Sequence, residues 1–294
     1  MSDFLADVIQ HRRAATAAAR DRVSERELLA RARDNVLAWK VRQTMAAGTH
    51  VPGDAFTRDL LMAKREGRMA VIAEVKRVSP ALGVLTTDVD PAVQSRGYAA
   101  AGAVAISVLT EPLFWGGSLE DLAAVRDAVP GTPILCKDVI VSEYQIAQAR
   151  SVGADAVLLI AEALTDEELK RFIERARELN MGVLVEAHES AAFGRAVASG
   201  AIIVGANARN LRQPKDLDIS RARELHSFVR DDQVFVAESG IETVDDVRML
   251  PERVDAVLIG TALMRAQDPN PLIRGIASIR RAGRESMGLP EKTR

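Results

Sequence analysis

One cysteine, Cys136, occurs in 294 residues. That excludes an internal disulfide and a cysteine metal cluster. Charge of one sign is missing too. Lys and Arg total 39 against 41 Asp and Glu, a net charge of −2, so no basic surplus points to nucleic acid. No segment approaches the ~20 consecutive apolar residues that span a bilayer. The opening MSDFLADVIQHRR lacks a basic stretch followed by a long apolar run, so no signal peptide is expected and a cytoplasmic protein is the default. The histidines, His11, His50, His188 and His226, show no HxxxH spacing, and no metal site is expected. What the chain does have is apolar residues, at 48% enough for a sizeable core in one large domain or two ordinary ones.

Those apolar residues are organised. A Gly-Ala cue followed by a short apolar run appears at Gly102, Gly153 and Gly200, and a related VDAVLIG begins at Val254. The spacing is about two βα units of a parallel sheet. The runs predict eight strands: Val71–Lys76, Val104–Leu109, Pro133–Lys137, Ala156–Ile160, Gly182–Glu186, Ala201–Gly205, Val234–Ala237 and Ala256–Ile259. Helical patterns fall between them at Ser118–Ala128, Glu143–Ser151, Asp166–Asn180, Ser190–Ala198 and Val244–Leu250, with Gly153 and Gly200 placed as C-terminal caps. The alternation predicts an α/β fold, a (β/α)8 TIM barrel over residues 66–294 with a C-terminal helix and tail; an open doubly wound sheet is the alternative. Residues 1–65 stand outside the repeat. They predict an N-terminal helical extension packed on the barrel, with Phe4, Leu5, Val8 and Ile9 as one apolar patch and Leu28, Leu29, Val36 and Leu37 as another.

Barrel enzymes carry their sites at the C-terminal ends of the strands. In VIAEVKRVSP, Glu74 and Lys76 lie two residues apart and therefore share a strand face with Ile72. Other strand ends carry Glu111, Lys137 with Asp138, Glu186, Asn207 with Arg209, and Glu238 with Ser239. A paired network explains some of these charges but not their choice of one rim, and unpaired burial is costly. ESGI at 238–241 and IGTA at 259–262 place a glycine and a hydroxyl where a helix could begin. They read either as ordinary caps or as a phosphate cradle of Ser239, Gly240, Gly260 and Thr261. Lys76 and Lys137 suit acid–base work, each lowering the other's pKa, with Glu74 and Glu186 as counter-charges; a Schiff-base lysine is an alternative. So is a non-catalytic barrel that only binds a phosphorylated ligand, although binding alone does not need this acid–base set.

The stretches AEVKRVSP, LTEPLFWGGSLEDL, LCKDVIVSEYQI, GADAVLLI, GANARNL, VAESGI and LIGTALMRAQDP, in order from Val71 to Pro269, resemble the indole-3-glycerol phosphate synthase family. The resemblance implies a lyase of tryptophan biosynthesis, closing the indole ring of 1-(2-carboxyphenylamino)-1-deoxyribulose 5-phosphate with loss of carbon dioxide and water. It implies no cofactor and no metal, a small phosphorylated substrate as the partner, and a monomer or homodimer. It makes Lys137 the general acid of ring closure and Glu186 the second acid–base group. Glu74 and Lys76 become the pair that assists dehydration, with Asn207 and Ser239 also in the catalytic set. Ser79, Arg209 and Glu238 hold polar parts of the substrate, and Phe114 covers its ring. Two positions depart from the family pattern: Val139 stands where phenylalanine is usual, and Ala81 where serine is common.

Overall fold

The structure, a computed structural model, describes residues 3–34, 37, 54–87 and 89–281. Val36 of the second apolar patch and the tail past Arg281 lie outside the described residues. Eight parallel strands close into one barrel. They are β1 Ala70–Val75, β2 Ala105–Leu109, β3 Ile134–Lys137 and β4 Ala156–Ile160, then β5 Gly182–Ala187, β6 Ile203–Asn207, β7 Val234–Glu238 and β8 Ala256–Ile259. Each pairs with its neighbours in sequence, and β8 closes onto β1 through Ala70–Ala256 and Ile72–Leu258. The doubly wound alternative falls with that closure.

Side-chain alternation sorts the strands into two packed layers. Val71 and Ala73 of β1 face the helices, whereas Ala70 and Ile72 fill the barrel with Leu135, Leu158, Leu184, Ile203, Val236 and Leu258. Two residues further along the same inward series stand Glu74, Lys137, Glu186, Gly205, Glu238 and Gly260. The pleat that fills the barrel therefore also aims these positions into its mouth.

Helices cover the outside, and their starts are capped as local chemistry dictates. Asp166–Glu178 begins at Thr165, whose hydroxyl accepts from Glu168 N while Glu168 returns to the cap, a capping box. Gly153 and Gly200 follow their helices at φ 100° and 85°, the left-handed turn assigned to them from sequence.

The N-terminal segment takes both ends of the barrel. Helix α1, Phe4–Arg22, lies over loops at the C-terminal end. The Tyr144 hydroxyl sits 3.0 and 2.8 Å from the carbonyls of Ala19 and Val23, anchoring its last turn. Residues 25–34 form α2, and α3, Ala55–Arg65, closes the opposite end with Phe56, Leu60 and Ala63 fully buried. Of the two apolar patches, Leu5, Val8 and Leu28 are buried, while Leu37 is exposed.

Two expectations change. β6 runs two residues later than Ala201–Gly205, because Ala201 and Ile202 are consumed in leaving the preceding helix. Asn207 is thereby the last strand residue and not a loop residue. No helix starts at Ser239: the next begins at Val244, and Ser239 and Gly240 are both left-handed, at φ 67° and 72°. The loop after β1 forms a short hairpin in which Val78–Ser79 pairs with Gly83–Val84.

Candidate active site

A cavity of about 410 Å³ opens at the C-terminal end of the barrel. Every expected site residue lines it except Phe114. At its centre Lys137 Nζ lies 3.0 Å from Glu186 Oε2 and 3.4 Å from Glu238 Oε2. Asn207 Nδ2 donates to the other Glu186 oxygen at 3.4 Å, and Ser239 Oγ donates to Asn207 Oδ1 at 2.9 Å. Five strand-end groups from β3, β5, β6 and β7 are thus one connected network. Across the mouth, Lys76 Nζ bonds Glu74 Oε1 at 2.8 Å. Each lysine is held by a carboxylate, and the charges that act on Lys137 are those of glutamates and not of Lys76.

The electrostatics reverse the sequence expectation for Lys137. Burial pulls its ammonium pKa down, but the charges of Glu186, Glu238 and Glu74 outweigh that pull and hold the amine well above its ordinary value. Glu238 moves the same way for the opposite reason. Burial, and then the Glu186 charge beside it, raise its carboxyl well above the usual range despite Lys137. Lysine plus three carboxylates is a set in which the proton on lysine is secure and the acid on β7 is easily protonated.

Two glycines make room for these carboxylates. A Cβ at Gly260 would overlap Glu74 Oε1 and come within 3.1 Å of Lys76 Nζ, and one at Gly205 would overlap Glu238 Oε1. Gly260 therefore has a role before any ligand arrives. Gly260→Ala should displace the Glu74 carboxylate and lower kcat about thirtyfold, short of the hundredfold that an ångström of misplacement can cost. Unchanged kcat with a folded variant would remove that role.

Phe114 is turned away from the cavity. Its ring packs edge-on to Phe4 of α1 at 5.1 Å and to His11 at 5.6 Å, and its neighbour Trp115 lines the cavity instead. The buried Glu111 carboxylate sets this turn by accepting from the backbone N–H groups of Leu113, Phe114 and Trp115 at 3.1, 2.6 and 3.2 Å. Glu111 was visible as a strand-end acid, but its role was not. Trp115 and Val139 both line the cavity, so its wall carries a large aromatic side chain although this chain lacks the phenylalanine of the family pattern at 139.

Behind Lys137 lies a second clamp. Arg12 of α1 reaches Asp138 with Nε at 2.9 Å and an NH2 hydrogen bond at 3.0 Å, and the Thr110 hydroxyl donates to Asp138 at 2.8 Å. Burial pushes the Asp138 carboxyl up to about 6, against the pull of Arg12 and Thr110. Arg209 is half-buried near the rim, with NH1 on the Pro214 carbonyl at 2.6 Å. Desolvation lowers its pKa, but a guanidinium stays charged.

Acid–base side chains converging with two glycine–hydroxyl turns at the C-terminal mouth of a parallel barrel define a (β/α)8-barrel enzyme. The family model for indole-3-glycerol phosphate synthase matches residues 24–276. The chain belongs to that family. It is similar to the indole-3-glycerol phosphate synthase of a Nocardioides species, at 52% identity over 223 residues, 76% of this chain and 85% of the relative. The Acetivibrio thermocellus protein of the same name is 40% identical over 248 residues, 84% of this chain and 93% of the relative. Among solved structures, a ligand-free tryptophan synthase from M. tuberculosis superposes with TM-score 0.57 at 13% identity, covering 76% of this chain and 97% of that one. A 3-hexulose-6-phosphate synthase gives 0.55 at 18%, covering 71% and 98%. These two show the fold alone.

Proposed function

We propose that this enzyme closes the indole ring of 1-(2-carboxyphenylamino)-1-deoxyribulose 5-phosphate, releasing carbon dioxide and water, in tryptophan biosynthesis. The observation that carries the assignment of roles is the Lys137 ammonium held charged between Glu186 and Glu238 at the cavity wall. Ring closure drives negative charge onto the ketone oxygen as the aromatic carbon attacks. A fixed, largely buried ammonium stabilises that charge and then supplies the proton. Attack leaves a cationic iminium beside the carboxylate-bearing carbon. That electron sink lets carbon dioxide leave without help from another group.

Dehydration follows. One group must take a proton from the ring and another must protonate the departing hydroxyl. Glu74 is assigned as the acceptor, with the Lys76 ammonium at 2.8 Å orienting its carboxylate. Glu186 is the second acid–base group, oriented by Asn207, which Ser239 in turn orients. Arg209 and Ser79 take the carboxylate end. Ser239, Gly240, Gly260 and Thr261 take the phosphate; the paired left-handed residues Ser239 and Gly240 turn backbone N–H groups into a concavity that suits an anion. Trp115 replaces Phe114 in this assignment as the wall for the aromatic ring.

The same proposal places the enzyme in the cytoplasm as a monomer or homodimer, with residues 1–65 as an extension of a catalytic barrel at 66–294. Among the described residues no helix is long and apolar enough to cross a membrane.

Purified protein given the ribulose phosphate should produce a fluorescent indole product without added metal. A folded preparation that gives none overturns the reading. The Schiff-base alternative requires a neutral lysine nucleophile, and the three carboxylates around Lys137 oppose that state. Borohydride should therefore trap no substrate adduct on Lys137.

A further inference from the structure

Most cations lining the cavity are already engaged. Lys76 is paired with Glu74, Lys137 lies between two glutamates, and Arg209 is braced by the Pro214 carbonyl. Lys215 and Arg265 are different. Both line the cavity and both are exposed, and among the described residues neither makes a hydrogen bond or an ion pair. Glu242 is the exposed carboxylate on the same stretch of rim, and it leaves one positive charge in surplus.

Their positions are set by the two turns assigned to phosphate. Arg265 lies four residues after Thr261 in the helix Thr261–Arg265, so the two share a helix face. Lys215 sits on the loop after β6, which a bridge between Arg209 and Leu217 folds back on itself. That loop is seated on the Ser239–Gly240 turn, because a Cβ at Gly240 would come within 2.9 Å of Ile219 and 3.6 Å of Leu217. One cation thus flanks the phosphate turns from the β6 side and the other from the β8 side.

We propose that Lys215 and Arg265 form a cationic collar that captures the phosphate monoester of the substrate and delivers it to the turns at Ser239–Gly240 and Gly260–Thr261. The idea rests on the phosphate assignment above and adds two residues that it lacks. Exposed, flexible cations do little for a bound transition state, yet they raise the local concentration and encounter rate of an anion. Their effect falls within a Debye length of about 8–10 Å and is screened by salt. The collar therefore acts on kcat/KM and leaves kcat alone.

The test is steady-state kinetics of the full chain at low and high sodium chloride, with the double variant Lys215→Gln/Arg265→Gln beside the wild type. At low salt the double variant should show kcat/KM about tenfold below wild type, with kcat within about twofold. Wild-type kcat/KM should fall with salt until the two converge, and Lys215→Arg/Arg265→Lys should restore it. Equal salt dependence in the two proteins, or a fall in kcat matching that in kcat/KM, overturns the collar. Titration with inorganic phosphate, followed by calorimetry, needs no turnover. It should show weaker binding in the double variant even if ring closure is not the reaction, and equal binding overturns the collar independently of the activity assignment.

Discussion

Lys137→Met should lower kcat about a thousandfold while the barrel stays folded. The estimate combines loss of a general acid, about a hundred- to ten-thousandfold, with loss of a preorganised charge at the developing oxyanion, about a hundred- to thousandfold. The two are one group, so their effects do not multiply. KM should change far less, because the ammonium bonds the substrate oxygen strongly only once charge has developed there. Retention of more than a tenth of wild-type kcat would remove Lys137 from its role.

The pH profile separates this reading from a lysine tuned down to act as a base. The ordinary lysine pKa is 10.5, and here the carboxylates hold the amine above it. The acid form is then the one present around neutral pH. Lys137 should contribute no alkaline limb to kcat below about pH 10. A limb near pH 7–8 that disappears in Lys137→Met would show a depressed amine and overturn the electrostatic account.

The barrel and the ring of polar strand ends were legible in the sequence because both rest on a period of two. Glu74 and Lys76 share parity with Ile72, and Lys137 shares it with Leu135, so knowing which residues fill the barrel also says which face the mouth. The β6 register was less legible. Nothing in AIIVGAN says that its first two residues belong to the turn out of a helix, and the two-residue shift preserved parity. Ser239 shows a different limit. A left-handed serine is a few-per-cent event. Here its hydroxyl bonds Asn207, a partner 32 positions away.

Other site features depended on neighbours that only closure supplies. Sequence places Phe114 and Trp115 side by side, and the Glu111 carboxylate decides which ring turns inward. The direction of the Lys137 shift required knowing that three carboxylates, and not a second lysine, surround it. Local pattern thus identified which groups reach the mouth, while their charge states were a property of the assembled rim.

A long-range contact of this kind carries the second large effect. Arg12 and Asp138 are 126 positions apart, and their side chains are only 13% and 5% exposed. Removing one member of such a pair leaves the other buried without compensation, at about 3–5 kcal/mol. Asp138 limits that cost because it can take up a proton. Its folded pKa, about 6, is already above the ordinary 3.8, so its contribution to stability is fully present below that ordinary value and is lost as pH rises through 6. Without Arg12 the folded pKa climbs further, and the loss continues over a wider span of pH. Arg12→Met should therefore destabilise by about 3 kcal/mol at pH 8 and by about 1 kcal/mol at pH 5, measured by urea denaturation. Adding Asp138→Asn should recover part of the loss at pH 8 and little at pH 5. An equal penalty at both pH values would mean that Arg12 acts through packing alone. The clamp joins α1 to the residue next to Lys137, so the same variant should lower kcat by up to about tenfold and change KM less, as expected for a support whose loss misplaces a group that acts in the transition state.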